Sequence, residues 1–554
     1  MAKKVWIAGM ALVLCLSMAP GYAATISGNI VDASGKAMEG VMVSAIDDAR
    51  AQSVSVFSQA DGSFTIDGLH DAVFNVRARL IGQVDQWQKG ISGGTSGIAL
   101  AMKPATGAEL DKQRTGDNLF GLMKWENDKD KQNFKMACGY CHQIGTIGFR
   151  SPEEPVDWDT MITRMDGFGG LYKHTQETIV DRLVTTYTDD AMADWPEFVP
   201  PPAPTGAATQ VRITEWDVGR QDNTMAHDLA LGLNGKVYVV DMINDALIEL
   251  DPATGERKTI AFPGGKDPEA DGNPRKGPHS IERDSDGNMW VTLALSGEMA
   301  KYDVTTGEFT VTSGAPAPRP RGAYPHTLRL NTNKEQDPKG MVWYTDAGAG
   351  VFSLDPETLE VTQYKLPSAD QAVGGGRGES RGRTPYGIDI SPVDGMIWYT
   401  KLNGNRIGRI DPNVEGGDVK EWVPPFRGPR RLHVAPNGIV WVPGFGSGVF
   451  ASFDPKTEEW EIFDLPNAMD QIPYALNIDP KGYIWICGTM NDTLIRFDPK
   501  TEELTEYRMP SRVTYTREIE FDEDGNVWVC NSNYPVRHTE RGRGSIIKLE
   551  ILGD

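Results

Sequence analysis

The chain has 554 residues, a formal net charge of −22 and a pI near 4.9. The length points to about three or four domains. The acidic balance argues against nucleic acid or an anionic membrane surface as partner. Five cysteines, one of them inside an N-terminal apolar run, do not make a disulfide scaffold.

Lys3 and Lys4 open the chain, followed by the apolar "VWIAGMALVLCLSMAP" and the small residues of "GYAAT". A basic start, a short apolar run and a small-residue cleavage point near Ala23 describe an export signal over residues 1–24. The mature chain is therefore expected in a bacterial periplasm, with outright secretion the alternative. Cys15 lies inside this signal, behind Leu14 where a lipidation signal wants a small residue. No later stretch is long and apolar enough to span a bilayer.

Residues 25–104 read as short strands. Val41, Val43 and Ala45 alternate as half-buried positions do, and Ser34-Gly35 and Asp61-Gly62 are turn signals. The stretches "GNIVDASGKAMEGVMVSAI" and "SQADGSFTIDGL" resemble the carboxypeptidase regulatory-like family, which implies a β-sandwich with a packing or adhesion role and no catalysis.

Residues 105–195 are helical in pattern and contain Cys138, Cys141 and His142 at the spacing C-x-x-C-H. A closed zinc site needs a second ligand pair, which is missing, and a redox dithiol belongs to a βαβ setting that is also missing. A covalent haem c fits: two thiols meet the two vinyl groups and the adjacent imidazole supplies the proximal nitrogen. Export would place the chain where such haem is attached. The segment "VDWDTMITRMDGFGG" resembles class I-like cytochrome c domains with a "W…RM" helix, which implies Met165 as the opposite ligand. Met161, His174 and an open position remain as alternatives. Residues 196–210, "WPEFVPPPAPTGAATQ" with its flank, read as a Pro-rich linker expected to hold this segment apart from the C-terminal half of the chain.

From residue 211 to 554 a unit recurs about every 45 to 50 residues, seven times, each with a strand such as "GNMWVTL" or "GYIWICG" and mostly a later "DPxT". Units that bury their faces only against neighbours must close into a ring, a seven-bladed β-propeller. The last unit lacks its outer strand and "VRITEWDVG" at 211–219 has no unit before it, so this strand is expected to complete the last blade. The fold class expected is mainly β: a propeller preceded by a small sandwich and a small α-helical cytochrome domain. The repeats, with "PHS" and "PYG" at strand starts, resemble the streptogramin lyase (virginiamycin B lyase-like) family.

Aligning the starts of the innermost strands gives His227, His279, His326, Tyr386, Arg430, Tyr474 and Arg517 as a ring at one channel mouth. Three equivalent imidazoles could hold Cu, Zn, Fe or Ni, with copper the redox candidate, or serve as a plain polar rim. Arg430 and Arg517 suit an anion, and Tyr386 and Tyr474 suit hydrogen bonding to it. Asp228 and Glu518 stand next in line. The lyase resemblance implies a His base with a Glu two places before it; Gly277, Tyr324 and Met225 occupy those places, and a haem would be idle in a lyase. Cys487 and Cys530 occupy matching strand positions and are expected to be buried thiols. The loop "VGGGRGESRGR", 373–383, is either a lid or a solvated insertion. The function expected is a periplasmic haem c oxidoreductase. Its channel oxidises a small, anionic or phenolic substrate, and its haem passes electrons to a soluble cytochrome or respiratory acceptor. A metal-dependent lyase and a non-catalytic electron-relay scaffold are the alternatives.

Overall fold

The structure, a computed structural model, describes residues 24–146, 155–167, 176–316, 323–368 and 385–553. The export signal up to residue 23, His174 and the loop 373–383 lie outside them.

Six four-stranded antiparallel sheets follow one another from Ala226–Leu231 to Glu503–Arg508, each running outward in chain order. The second strands of these blades are buried along their whole length, as in Met289–Leu293 and Ile484–Gly488. They read as unbroken apolar runs because each blade is covered on both faces. The recurring "DPxT" is a turn: Asp251 Oδ1 accepts from the backbone N–H groups of Ala253 and Thr254 at 2.9 and 3.2 Å, and Asp303 repeats this with Thr305 and Thr306.

The seventh blade is closed as the sequence implies. Val211–Val218 pairs antiparallel with Gly544–Ile551, from Val211 opposite Ile551 to Val218 opposite Gly544. Its far edge does not end there. Ile213 to Trp216 pair with Ser55 to Gln52, so blade 7 runs on into the N-terminal domain as one eight-stranded sheet. That domain is the expected sandwich: the strands Gln52–Phe57, Met42–Asp47, Val73–Arg79 and Gln86–Ser92 lie in this sheet. Ser63–Leu69, Ala24–Val31 and Ile98–Ala101 form the other sheet, over a core of Ile26, Ile30, Val43, Phe64 and Val76. An open blade edge is thereby paired within the chain instead of being left for another molecule.

Two expectations change. The helices between sandwich and propeller, chiefly Asp128–Cys138, Pro155–Gly167 and Gln176–Tyr187, do not form a separate small cytochrome domain. Their apolar residues Leu119, Phe120, Phe134, Trp158 and Leu183 share one core with Tyr474, Met490 and Tyr515 of the propeller. So short a helical stretch buries too little apolar surface alone and takes the propeller as its other half. The Pro-rich stretch does not hold them apart either. Arg114 donates to the Pro196 carbonyl, and the Pro204 carbonyl lies against Gly40 (φ +75), where any side chain would strike it. Among the described residues no helix is long and apolar enough to cross a membrane.

Glu540 clamps sandwich to propeller: it accepts from Arg77 Nη1 at 2.8 Å and from Arg79 Nη1 at 2.6 Å. Burial alone would raise its carboxyl, but the hydrogen bond and charge of Arg79 outweigh this and bring it down to about 2. A depressed carboxyl stabilises the fold fully above its unfolded value, near 4.5, and loses this as pH falls through about 2. Glu540→Gln is therefore expected to lower stability in urea at neutral pH, with the gap to wild type closing between those two pH values.

Candidate functional site

The seven aligned positions do come together. The ring centroids of His227 and His279 are 3.9 Å apart, those of His279 and His326 4.1 Å, and those of His326 and Tyr386 4.0 Å. Tyr386 Oη lies 2.8 Å from Tyr474 Oη, Arg517 Nη1 donates to Tyr474 Oη at 2.8 Å, and Arg430 Nη2 donates to Tyr386 Oη. Local geometry explains the gathering. In four blades the pairing of the innermost strand slips at its start, as between Pro278 and Ile281 or Pro325 and Leu328. Such a bulge re-aims the ring side chain into the channel.

A supporting set escaped the sequence reading. Thr292 and Thr345 donate at 2.8 and 2.7 Å to the carbonyls of the next blade's ring residue, His326 and Tyr386, and Thr400 does the same to Arg430. Its signal was the Thr two places after the repeated Trp in "MWVTL", "VWYTD" and "IWYTK". Cys487 and Cys530, at the matching positions of blades 6 and 7, are free and buried, and burial pushes both thiols up, Cys487 to about 12.

The ring does not face solvent. His227, His279, His326, Arg430, Tyr474 and Arg517 are all buried, and Tyr140 and Cys141 lie against the Arg430 and Arg517 side of the ring. Tyr515 donates to the Gly139 carbonyl, and Arg517 Nη2 to that of Cys141 at 3.3 Å. Gln143 Nε2 donates to Thr514 O and Asp492 Oδ1, both at 2.7 Å. The buried Lys135 ammonium donates to the carbonyls of Gln471 and Met469 at 2.7 and 3.1 Å. Burial and Lys131 bring Lys135 down to about 7. The Arg430 guanidinium is stacked among Tyr474, Phe445 and Tyr140, 3.5, 4.1 and 5.0 Å from their centroids. The stretch from Cys138 to His142 thus stands over the Arg430 and Arg517 side of the ring, a juxtaposition the sequence could not place.

Burial first, then the neighbouring imidazoles and guanidiniums, holds the three ring histidines well below the ordinary imidazole value, so they are neutral. His227 Nδ1 donates to the His279 carbonyl at 2.7 Å, and His326 Nδ1 meets Thr327 Oγ1 at 2.8 Å. Among the described residues no group of three or more His, Cys, Asp or Glu is placed to hold a metal ion, so the geometry gives the copper reading of the trio no support. Asp228 and Glu518 turn to Arg431 below the ring, where Arg329 also meets Glu518 at 3.1 Å and Glu282 at 2.6 Å.

At His142, Nδ1 lies 2.9 Å from the Gln143 carbonyl, which can only accept, so Nδ1 carries the proton and Nε2 the lone pair. Met161 and Met165 are half-buried and pack in the cluster that also holds Cys138. Arg430 Nε and Nη1 and Trp158 Nε1 are buried donors with no hydrogen-bond partner.

Comparison with known proteins agrees with the architecture. Residues 270–529 match the Virginiamycin B lyase family, and residues 25–103 match the carboxypeptidase regulatory-like domain. A solved streptogramin B lyase is 19% identical, covers 63% of this chain and 100% of its own, and superposes with a TM-score of 0.50. The virginiamycin B lyase of Staphylococcus aureus is 18% identical over 61% of this chain and 99% of its own, at 0.49. The two matched family models and the streptogramin B lyase superposition show a virginiamycin B lyase-like propeller fold behind a carboxypeptidase regulatory-like sandwich. No curated protein sequence matches the chain.

Tyr474 is raised by its burial, but Arg430, Arg517 and Arg431 outweigh this and hold it below the ordinary phenol value, while burial holds Tyr386 well above it. Tyr386 therefore donates to Tyr474. An ultraviolet titration is expected to show one phenolate forming with a midpoint at about pH 8 in the wild type, a step that is lost in Tyr474→Phe.

Proposed function

We propose that the chain is a periplasmic c-type haem oxidoreductase in which residues 105–195 carry one covalent haem and the propeller is the bed beneath it. The observation that carries this reading is the seating of Cys138, Cys141 and His142 beside the buried Arg517 and Arg430, the latter with two donors unmatched among the described residues. The residues fit such a group. Burial pushes the Cys138 thiol up to about 12, which opposes the thiolate that zinc or a redox dithiol needs and does not oppose an uncharged thioether. His142 is oriented by its bond to the Gln143 carbonyl, as an axial imidazole requires.

Cys138 and Cys141 would attach the haem through thioethers, and His142 Nε2 and Met165, with Met161 on the same helix as the alternative, would ligate its iron. The bound haem supplies one-electron redox chemistry. Arg430 and Trp158 offer hydrogen bonds to its anionic side arms. The Arg430 and Arg517 guanidiniums beneath favour a reduced centre above them. In this reading the ring is not the open substrate chamber expected from the sequence. The substrate, small and anionic or phenolic, approaches from outside the channel, and a soluble cytochrome or respiratory acceptor takes the electrons.

The family match favours a second reading, a metal-dependent lyase. Against it stand the covered ring and the missing Glu before each ring histidine.

Chain matured in a periplasm with a haem c attachment system is expected to retain haem through denaturing electrophoresis. Cys138→Ala with Cys141→Ala is expected to lose it. A wild-type chain with no covalent haem would refute the proposal and leave the lyase reading.

A further inference from the structure

One cavity of about 300 Å³ lies away from the channel, where the sandwich, the helices and blade 6 with the loop to blade 7 meet. That is the lower end of the sizes that hold small molecules. Its walls are largely apolar: Met42, Phe57, Leu119 and Met509 line it and none is more than 5% exposed. Its charges are nearly all of one sign, with Arg79, Lys112, Arg114, Arg508 and Arg512 against Asp492 alone.

Some of these charges are already spent. Arg79 is paired with Asp85 and Glu540, and Arg114 with Asp111. Asp492 is occupied by Gln143 and by the backbone and hydroxyl of Thr514, at 2.7, 2.7 and 2.9 Å. Lys112 and Arg508 have no carboxylate within ion-pair distance among the described residues. Arg512 reaches Asp85 only at 3.9 Å, and its buried Nη2 has no hydrogen-bond partner. An apolar floor beneath five cations, of which Lys112 and Arg508 have no paired carboxylate among the described residues, in a chain of net charge −22, marks the place where an anionic group would recover the cost of gathering those cations.

We infer that this cavity binds a small amphipathic carboxylate, its apolar body on Met42, Phe57, Leu119 and Met509 and its carboxylate on Arg508 and Arg512. Gln143 forms part of the wall and directly follows His142, so the bound molecule lies next to the proposed haem attachment. A role as substrate rests on the haem reading; binding does not.

The test is calorimetric titration of the full mature chain with 3-phenylpropionate and octanoate, and with 3-phenylpropanol as the neutral counterpart. At least one carboxylate is expected to bind once per chain, more weakly as salt rises, and the alcohol at least about tenfold more weakly. Arg508→Gln and Arg512→Gln are each expected to weaken the carboxylate about tenfold with the thermal midpoint unchanged. Should either fail to fold, Lys112→Gln at the exposed rim reads the same charge. The inference is overturned if neither carboxylate binds, if the alcohol binds equally, or if the folded charge variants bind like wild type. A chain that binds the carboxylate but carries no haem keeps the site and removes only its redox role.

Discussion

Two backbone carbonyls, those of Gly139 and Cys141, are held by Tyr515 and Arg517 of the propeller, and the arrangement of the molecule depends on that seat. With Lys135 and Gln143 it buries polar groups that would each cost about 1–3 kcal/mol if left without partners. The helical stretch therefore cannot lift from the channel mouth without exposing or orphaning these groups. The shared core of Leu119, Phe134, Trp158, Tyr474 and Tyr515 works in the same direction. Sandwich, helices and propeller behave as one body, with the blade 7 sheet continuing into the sandwich on one side and Glu540 clamping it on the other.

The seat also orders the charges of the channel. Arg430 and Arg517 lie directly beneath Tyr140 and Cys141, stacked on aromatic rings and bonded to phenols instead of carboxylates. The carboxylates Asp228, Glu518 and Glu282 lie further down, with Arg431 and Arg329. Cation–π contact lets a guanidinium remain charged where no anion accompanies it. The mouth is thus a positively charged, dry surface, and the three neutral imidazoles extend it around the ring.

Much of the propeller was legible in the sequence because its signals are periodic. The Trp-centred strands, the "DPxT" turns and the unpaired strand at 211–219 each emerge from counting repeats, and so do the seven ring positions. The seat was not legible. Its donors Tyr515, Gln143 and Lys135 belong to no period, and nothing in "KMACGYCH" marks which surface it lies on. The Pro-rich stretch shows the same limit, since composition reports an extended backbone and not that Pro204 packs on Gly40. Nor does an edge strand announce its partner: Ile213 to Trp216 read as the last strand of a blade, yet they also pair with the sandwich. Three histidines at equivalent positions are legible as a set; that bulged strand starts place them in file, with His227 Nδ1 on the His279 carbonyl and His326 Nδ1 on Thr327 Oγ1, is not.

The claim that the propeller ring forms the bed of the haem is tested most directly by the reduction potential of the matured chain, compared with Arg430→Gln and Arg430→Lys. Removing a buried positive charge beneath the iron is expected to lower the potential, and the lysine variant, which keeps the charge, is expected to restore most of it. Equal potentials in all three folded proteins would contradict the account, because a guanidinium stacked under Tyr140 of the attachment loop could not then be close to the centre it is said to support.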